Sequence, residues 1–337
     1  MREGLMAPRP DEHRGHVALA LGAGAAGLGI LALLMRRDRR LAEADAAPPP
    51  RGTGESVPNS AAGKAHPATV RAAQNLNRAA GLLALSVLLD SGLEHYRAYF
   101  HNKAMYTPLV VSSLTLAIST HGLVDRSPRA HGLRHATYAA AALTGFVGTG
   151  FHVYNVTKRP GGFSWLNLFY GAPLGAPTAI LLSGLLGTAA ERVRNSEAGR
   201  TPHIFGLPAG RTLAAITAVG LLGTSGEAGL LHFRGNFQNP FMYLPVTLPP
   251  AAAAVIAGAT ALPSPTTRRW ARRWLGATAI MGFAGVGFHI YGVSRAMGGW
   301  RNWRQNMIDG PPIPAPPSFS GLAVAGMAAL RLLERKG

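Results

Sequence analysis

The sequence predicts an all-α integral membrane protein of about nine transmembrane helices, with two four-helix bundles preceded by one extra helix. Apolar residues make up 47% and charged residues only 14% of the 337-residue chain, which suits lipid-facing helices packed through small side chains. Apolar runs of about 20 residues, the length of a membrane crossing, recur along the sequence. The chain also repeats part of itself, so two similar bundles are expected.

The internal repeat has an offset of 137 residues and keeps a small set of residue identities. These include two glycines and two histidines in each copy: Gly92, His95, Gly148 and His152 recur as Gly229, His232, Gly285 and His289. Each copy contains an even number of predicted spans, so both copies enter the membrane in the same sense. We therefore expect parallel repeats that are related by an axis along the membrane normal.

The predicted spans set the organisation of the chain. They cover residues 17–35, 79–96, 105–124, 135–155, 165–189, 211–232, 241–262, 274–293 and 317–333. Around them we predict an external N-terminal tail (1–16), a basic and proline-rich cytoplasmic linker (36–78) and a cytoplasmic connection (191–210). Helices 2–5 form the first copy (79–190), helices 6–9 form the second copy (211–333), and residues 334–337 form a cytoplasmic C-terminus.

The basic residues predict the orientation. Loops that follow odd-numbered helices carry about twice as many lysines and arginines as the opposite loops, which predicts an external N-terminus and a cytoplasmic C-terminus. The expected location is a bacterial-type inner membrane. The formal charge of +18 is interpreted as a topology signal rather than as nucleic-acid binding, because the basic residues lie between apolar runs.

Composition and motifs exclude several kinds of site. The chain has no cysteine, which excludes disulfides, thiolate zinc sites, cysteine-ligated iron–sulfur clusters and covalently attached haem. The sequence also lacks a phosphate loop, a dinucleotide-binding glycine motif, HExxH and Gly-x-Ser-x-Gly. A soluble-enzyme chemistry is therefore not indicated.

The four repeated histidines are the candidate ligands of two b-type haems. His95 and His152 are expected near the outer ends of two helices that run in the same direction, and His232 and His289 repeat this arrangement. Ionisable residues in a membrane mark functional sites by default, and two facing helices that each give one histidine can hold a haem. Zinc and copper remain alternative metals that the histidines could bind.

Glycines and cations near the histidines favour haem. One glycine per histidine lies three or four residues earlier, on the same helix face, where it clears space for a porphyrin: Gly92, Gly148, Gly229 and Gly285. Cations that follow the histidines are expected partners of the haem propionates: Arg97, Lys158, Arg234 and Arg295. Snorkelling of these cations to lipid headgroups is the structural alternative.

Two repeated acids and two proline-containing segments complete the candidate residues. Asp90 and Glu227 occupy equivalent positions within predicted spans and are candidates for proton transfer, or for pairing with a polar group of a neighbouring helix. The segments Gly171–Pro173 and Gly310–Pro312 correspond at an offset of 139. They are expected either to break two helices and open a pocket, or to shape the entry into those helices.

These residues support three functional hypotheses. The first is a di-haem b electron-transfer subunit of a membrane oxidoreductase, which passes electrons between a quinone pool and an extracytoplasmic redox protein or dehydrogenase subunit. The second is a parallel-repeat transporter that uses Asp90 and Glu227 as proton or cation sites. The third is a haem-free quinone-binding or anchor subunit. The lipid bilayer is the common partner of all three.

Overall fold

The computed structural model describes residues 67–127, 129–196 and 200–334, most of which are helical. The predicted tail (1–16), the first predicted span (17–35) and residues 36–66 of the linker lie outside the described residues. The described helices are α1 (Pro67–Arg97), α2 (Thr107–Val124), α3 (Gly132–Thr157), α4 (Trp165–Tyr170), α5 (Gly175–Arg194), α6 (Ala209–Arg234), α7 (Leu244–Ala261), α8 (Pro265–Arg295), α9 (Trp303–Asp309) and α10 (Pro317–Leu333).

Short elements connect these helices. Three 3₁₀ turns are formed by Lys103–Tyr106, Pro240–Tyr243 and Gly299–Asn302. Strands β1 (His203–Ile204) and β2 (Leu207–Pro208) form a two-residue antiparallel hairpin between α5 and α6. The described part of the chain therefore contains no sheet beyond this hairpin.

Within the described residues, five helices are long and apolar enough to cross a membrane: Ala68–Arg97, Lys103–Val124, Ala209–Arg234, Pro240–Ala261 and Pro265–Arg295, with α10 as a shorter apolar helix. Large apolar side chains lie on the outside of the helices, as at Phe146, Val219 and Ile280, which are each at least two-thirds exposed. A lipid environment removes the cost of this exposure. The helical fold and the membrane class predicted from the sequence are thus supported.

The helices pack as two neighbouring rings. Helices α1, α2, α3 and α5 contact one another in that cyclic order, and α6, α7, α8 and α10 do the same. The rings join mainly where α10 packs against α1, and also where α5 meets α6. Close approach depends on glycines: a Cβ at Gly145 would lie 2.2 Å from the backbone nitrogen of Leu181, and one at Gly282 would lie 2.3 Å from Ser320 Oγ.

Three predicted spans differ clearly from the observed helices. Helix α8 begins at Pro265, well before the predicted start at residue 274. Helix α1 begins at Pro67, inside the predicted linker 36–78. Its first turns pack against the other helices through small side chains such as Ala72 and Ala73, which are fully buried. The predicted span 165–189 is interrupted between α4 and α5. Pro173 lies in this interruption and lacks the N–H that would continue the helical hydrogen bonds.

Corresponding elements of the two copies end at corresponding residues. Helix α1 ends at Arg97 and α6 at Arg234, while α2 and α7 end at Val124 and Ala261. Each of these pairs has the 137-residue offset of the sequence repeat. The 3₁₀ turns Lys103–Tyr106 and Pro240–Tyr243 keep the same offset. The histidines of the two copies consequently occupy corresponding helix ends.

Candidate functional site

The first histidine of each copy lies at a helix end and is held by the turn that follows. The His95 Nδ1–H donates to the carbonyl of Met105 at 2.6 Å, and the His232 Nδ1–H donates to that of Met242 at 2.8 Å. Asn102 caps the first turn by accepting from the Ala104 N–H at 2.9 Å, and Asn239 caps the second in the same way. The asparagines thus fix the carbonyls that orient the two rings.

A left-handed backbone segment also contacts these two rings. Phe100 and Phe237 have φ values of 44° and 45°, and each donates its N–H to the carbonyl of its histidine at 3.0 Å. Each phenylalanine ring stands edge-on to the imidazole of its histidine, with ring centroids 6.1 Å apart. Non-glycine residues in this region carry a strain of about 1–3 kcal/mol. Its presence in both copies links the strained turn to the placement of the imidazoles.

The second histidine of each copy is held by the segment before the last helix of its ring. The His152 Nδ1–H donates to the carbonyl of Pro173 at 2.5 Å, and the His289 Nδ1–H donates to that of Pro312 at 2.7 Å. Glycines allow this segment to fold closely. A Cβ at Gly171 or Gly310 would lie 2.2 Å from the carbonyl oxygen of Asn167 or Asn306.

Two buried asparagines, which the sequence reasoning did not single out, support these segments. Asn167 donates from Nδ2 to the carbonyls of Pro160 at 3.0 Å and Gly162 at 2.7 Å. Asn306 does the same to Met297 at 3.2 Å and Gly299 at 2.8 Å. The signal in the sequence was their shared offset of 139, which is also the offset of Gly171 and Gly310.

The shared hydrogen-bond pattern determines what the four imidazoles can do. A backbone carbonyl only accepts, so each Nδ1 carries the proton and each neutral ring has its lone pair on Nε2. Among the described residues, none of these four Nε2 atoms has a hydrogen-bond partner. Each ring is half-buried. The rings are therefore oriented to give Nε2 to a metal ion or to a donor.

The histidines of one copy come from helices that do not adjoin. In the first ring α1 and α3 occupy opposite corners, and in the second ring α6 and α8 do. His95 lies near enough to His152 for their charges to interact, and His289 lies near enough to His232. Within the described residues no group of three or more histidine and acidic side chains is suited to a metal ion.

The four predicted clearance glycines lie at helix contacts. A Cβ would meet Leu109 at 3.8 Å from Gly92, Pro177 at 3.3 Å from Gly148, and Val246 at 3.3 Å from Gly229. At Gly285 a Cβ would lie 2.8 Å from Pro316, so this glycine is required by the packing of α8 on α10. Open space lies instead at Gly150 and Gly287, two residues before the second histidines.

The four predicted propionate partners have different surroundings. The Arg97 guanidinium pairs with Glu94 at 3.1 Å and donates to the carbonyl of Ile308. The Arg234 guanidinium lies 4.9 Å from the centre of the Phe169 ring, and Lys158 Nζ lies 5.5 Å from that of Tyr154. Arg295 is exposed at the end of α8. The arginines that follow the first histidines therefore contact the opposite copy.

The repeated acids lie near each other between the two rings. The Glu227 carboxylate lies against Gly175 at the start of α5, where a Cβ on Gly175 would overlap it. Asp90 lies near enough to Glu227, Glu94 and Arg97 to interact electrostatically with all three. The structure thus places the acids of the two copies within electrostatic range of each other.

A buried ion cluster joins neighbouring helix ends of the first ring, on the side opposite to the histidines. Arg134 pairs with Glu191 at 2.8 Å and with Asp125 at 2.7 Å, while Arg194 donates to the carbonyls of Asp125 and Gly122 at 2.7 Å. Both guanidiniums are fully buried. Sequence reasoning missed this cluster because its members are far apart in the chain and have no charged counterparts in the second copy.

Comparison of the chain with protein-family models, with curated proteins and with solved structures gave no match. Function is consequently argued from the site alone.

Proposed function

We propose that the chain is a membrane electron-transfer subunit of the di-haem b type. His95 and His152 would hold one haem, and His232 and His289 the other. The observation that carries the proposal is the common bond from Nδ1–H to a backbone carbonyl in all four histidines. A hydrogen bond from Nδ1–H to a carbonyl fixes the tautomer of a histidine and would orient its Nε2 toward an iron atom.

The surroundings of the histidines support a bound pigment. The half-buried imidazoles of each pair come from helices at opposite corners of one ring of helices. The side chain of Phe100 or Phe237 stands edge-on to the first imidazole of each pair. A bound haem supplies one-electron exchange at its iron. The chain's own contribution is to orient four imidazoles, to limit water and to keep the two pairs at corresponding helix ends.

The repeat supports the placement of the two sites in a bilayer. The nine-span, parallel-repeat arrangement predicted from the sequence would place both pairs near the external leaflet of a bacterial-type inner membrane, with the C-terminus in the cytoplasm. Electrons would then pass between a quinone and an extracytoplasmic redox protein or dehydrogenase subunit. Asp90 and Glu227 would receive protons released by quinol oxidation.

The proposal is tested by the pigment content of the purified protein. Protein from haem-replete cells is expected to contain two haems per chain, and a b-type Soret band that shifts on reduction. The measurement is a haem assay against protein concentration, with the redox-difference spectrum. A colourless and metal-free preparation would contradict the proposal.

One observation favours a second candidate, the parallel-repeat transporter. Asp90 and Glu227 lie within electrostatic range of each other, and a shared proton or cation site would be placed there. This candidate predicts that Asp90→Asn and Glu227→Gln abolish proton-coupled uptake into proteoliposomes while histidine variants retain it. A colourless protein without transport would point to the haem-free quinone-binding or anchor subunit.

A further inference from the structure

The outer ends of the two copies are joined by reciprocal contacts. At the end of α1, Arg97 donates to the carbonyl of Ile308, and the Tyr96 hydroxyl accepts from Arg304 at 2.5 Å; both partners belong to α9. At the end of α6, Arg234 lies over Phe169 of α4, and Phe233 meets the same ring edge-on at 5.9 Å. Each first-histidine helix therefore ends on the short helix of the other copy.

The two arginine contacts are equivalent under the repeat. Arg97 and Arg234 have the offset of 137, and their targets Ile308 and Phe169 have the offset of 139 that relates Gly310 to Gly171. The chemistry of the contact differs, since one arginine meets a carbonyl and the other an aromatic ring. The position of the contact is nevertheless the same in both copies, so the contact is a shared feature of the two sites.

The short helices lead directly to the carbonyls that hold the second histidines. Four residues after Ile308 the chain reaches Pro312, which accepts from His289. Four residues after Phe169 it reaches Pro173, which accepts from His152. A displacement of α4 or α9 would therefore move the acceptor of the second histidine in the same copy.

We infer that Arg97 and Arg234 are positioning residues that act across the copies. Arg97, in the first copy, fixes α9 and with it the Pro312 carbonyl that orients His289. Arg234, in the second copy, fixes α4 and with it the Pro173 carbonyl that orients His152. The inference rests on the proposed function, because it assigns these arginines to the two haem sites. It differs from the propionate prediction, in which each arginine serves the histidines of its own copy.

Single-site backgrounds separate these two roles. With only the second site intact (His95→Ala, His152→Ala), adding Arg97→Ala is expected to weaken haem retention about 10-fold, the lower end of the losses seen when the group that orients a ligating histidine is disturbed. With only the first site intact (His232→Ala, His289→Ala), the same change is expected to alter retention less than twofold. Arg234→Ala is expected to give the reverse pattern, and exposed Arg301→Ala is the charge-matched control.

Hydrogen exchange of haem-free protein provides an arm that does not require pigment. Arg97→Ala is expected to accelerate exchange in segment 310–315, and Arg234→Ala in segment 171–175, while Arg301→Ala changes neither. Loss of haem from the arginine's own copy, or unchanged exchange in both segments, would overturn the inference. A protein that binds no haem but shows the crossed exchange pattern would refute the proposed function and leave the coupling established.

Discussion

At the scale of single residues, the site depends on main-chain acceptors. Each candidate ligand donates Nδ1–H to a carbonyl of Met105, Pro173, Met242 or Pro312. A carbonyl fixes the tautomer without adding a negative charge, unlike the carboxylate partner of many metal-bound histidines. The orientation of the ring then depends on the backbone path, so small changes in that path should have large effects.

Gly171 and Gly310 test this dependence. Gly171→Ala would place a Cβ 2.2 Å from the carbonyl oxygen of Asn167, so the segment must shift and the Pro173 acceptor moves away from His152. We expect haem affinity of the first copy to fall about 10- to 100-fold, as when other orienting partners of ligands are lost. Gly310→Ala should do the same in the second copy.

Gly258→Ala is the control for these variants, because a Cβ there meets nothing within 4 Å. It should leave haem content unchanged and stabilise α7 by about 0.5–1 kcal/mol. Titration of the haem-free variants with haem measures the affinities. Wild-type affinity in both Gly171→Ala and Gly310→Ala would show that the proline carbonyls do not orient the histidines.

At the scale of elements, the ends of the first ring opposite the histidines are joined by charge. Asp125 follows α2, Arg134 belongs to α3, and Glu191 and Arg194 belong to α5. Burial acts to raise the pKa of Asp125, but the hydrogen bond from the Ser127 N–H and the ion pair with Arg134 outweigh it and hold the pKa below its usual value. The Asp125 carboxylate is thus a stabilising partner of two buried guanidiniums.

Asp125→Asn should therefore destabilise the detergent-solubilised protein by about 3 kcal/mol near neutral pH, because it leaves buried cationic charge uncompensated. A lowered pKa in the folded state means that the stabilisation is complete above the unfolded pKa of about 4 and is lost as pH falls through the folded value. The difference between wild type and variant should accordingly shrink below about pH 4.

Thermal unfolding over a pH series measures this difference. Glu334→Gln is the control, since its ion pair with Arg272 is solvent-exposed and should contribute less than about 1 kcal/mol. Equal effects of the two substitutions at neutral pH would mean that the buried cluster contributes no more than a surface pair.

The limits of sequence-based prediction are also clearest at the scale of elements. The repeat and the four histidines could be predicted, because identities recur at one offset. The start of α1 at Pro67 could not, because polar residues such as Asn75 and Asn77, which the structure buries, interrupt the apolar residues of its first turns. The carbonyl acceptors could not either, since any residue type supplies a carbonyl. The ion cluster joins residues as distant as Asp125 and Arg194, and only the fold brings them together.

At the scale of the whole molecule, the account requires both histidine pairs on one side of the membrane. The chain has no native cysteine, so single cysteines can be labelled without background. Exposed positions Lys103 and Gln238 are predicted to be external, whereas exposed Ser127 and Thr201 are predicted to be cytoplasmic.

An impermeant maleimide applied to intact spheroplasts should thus label Lys103→Cys and Gln238→Cys but not Ser127→Cys or Thr201→Cys. Permeabilised spheroplasts, in which all four variants should react, provide the control. Labelling of only one of the positions 103 and 238 would contradict the parallel repeat. Labelling of 127 and 201 instead would reverse the predicted orientation.

The central claim is that each histidine pair holds its own haem. The most direct test is the reduced-minus-oxidised spectrum, per mole of protein, of His152→Ala, His289→Ala and the double variant. Each single variant should lose about half of the Soret difference, and the double variant should lose nearly all of it. A double variant with the full wild-type spectrum would contradict the account.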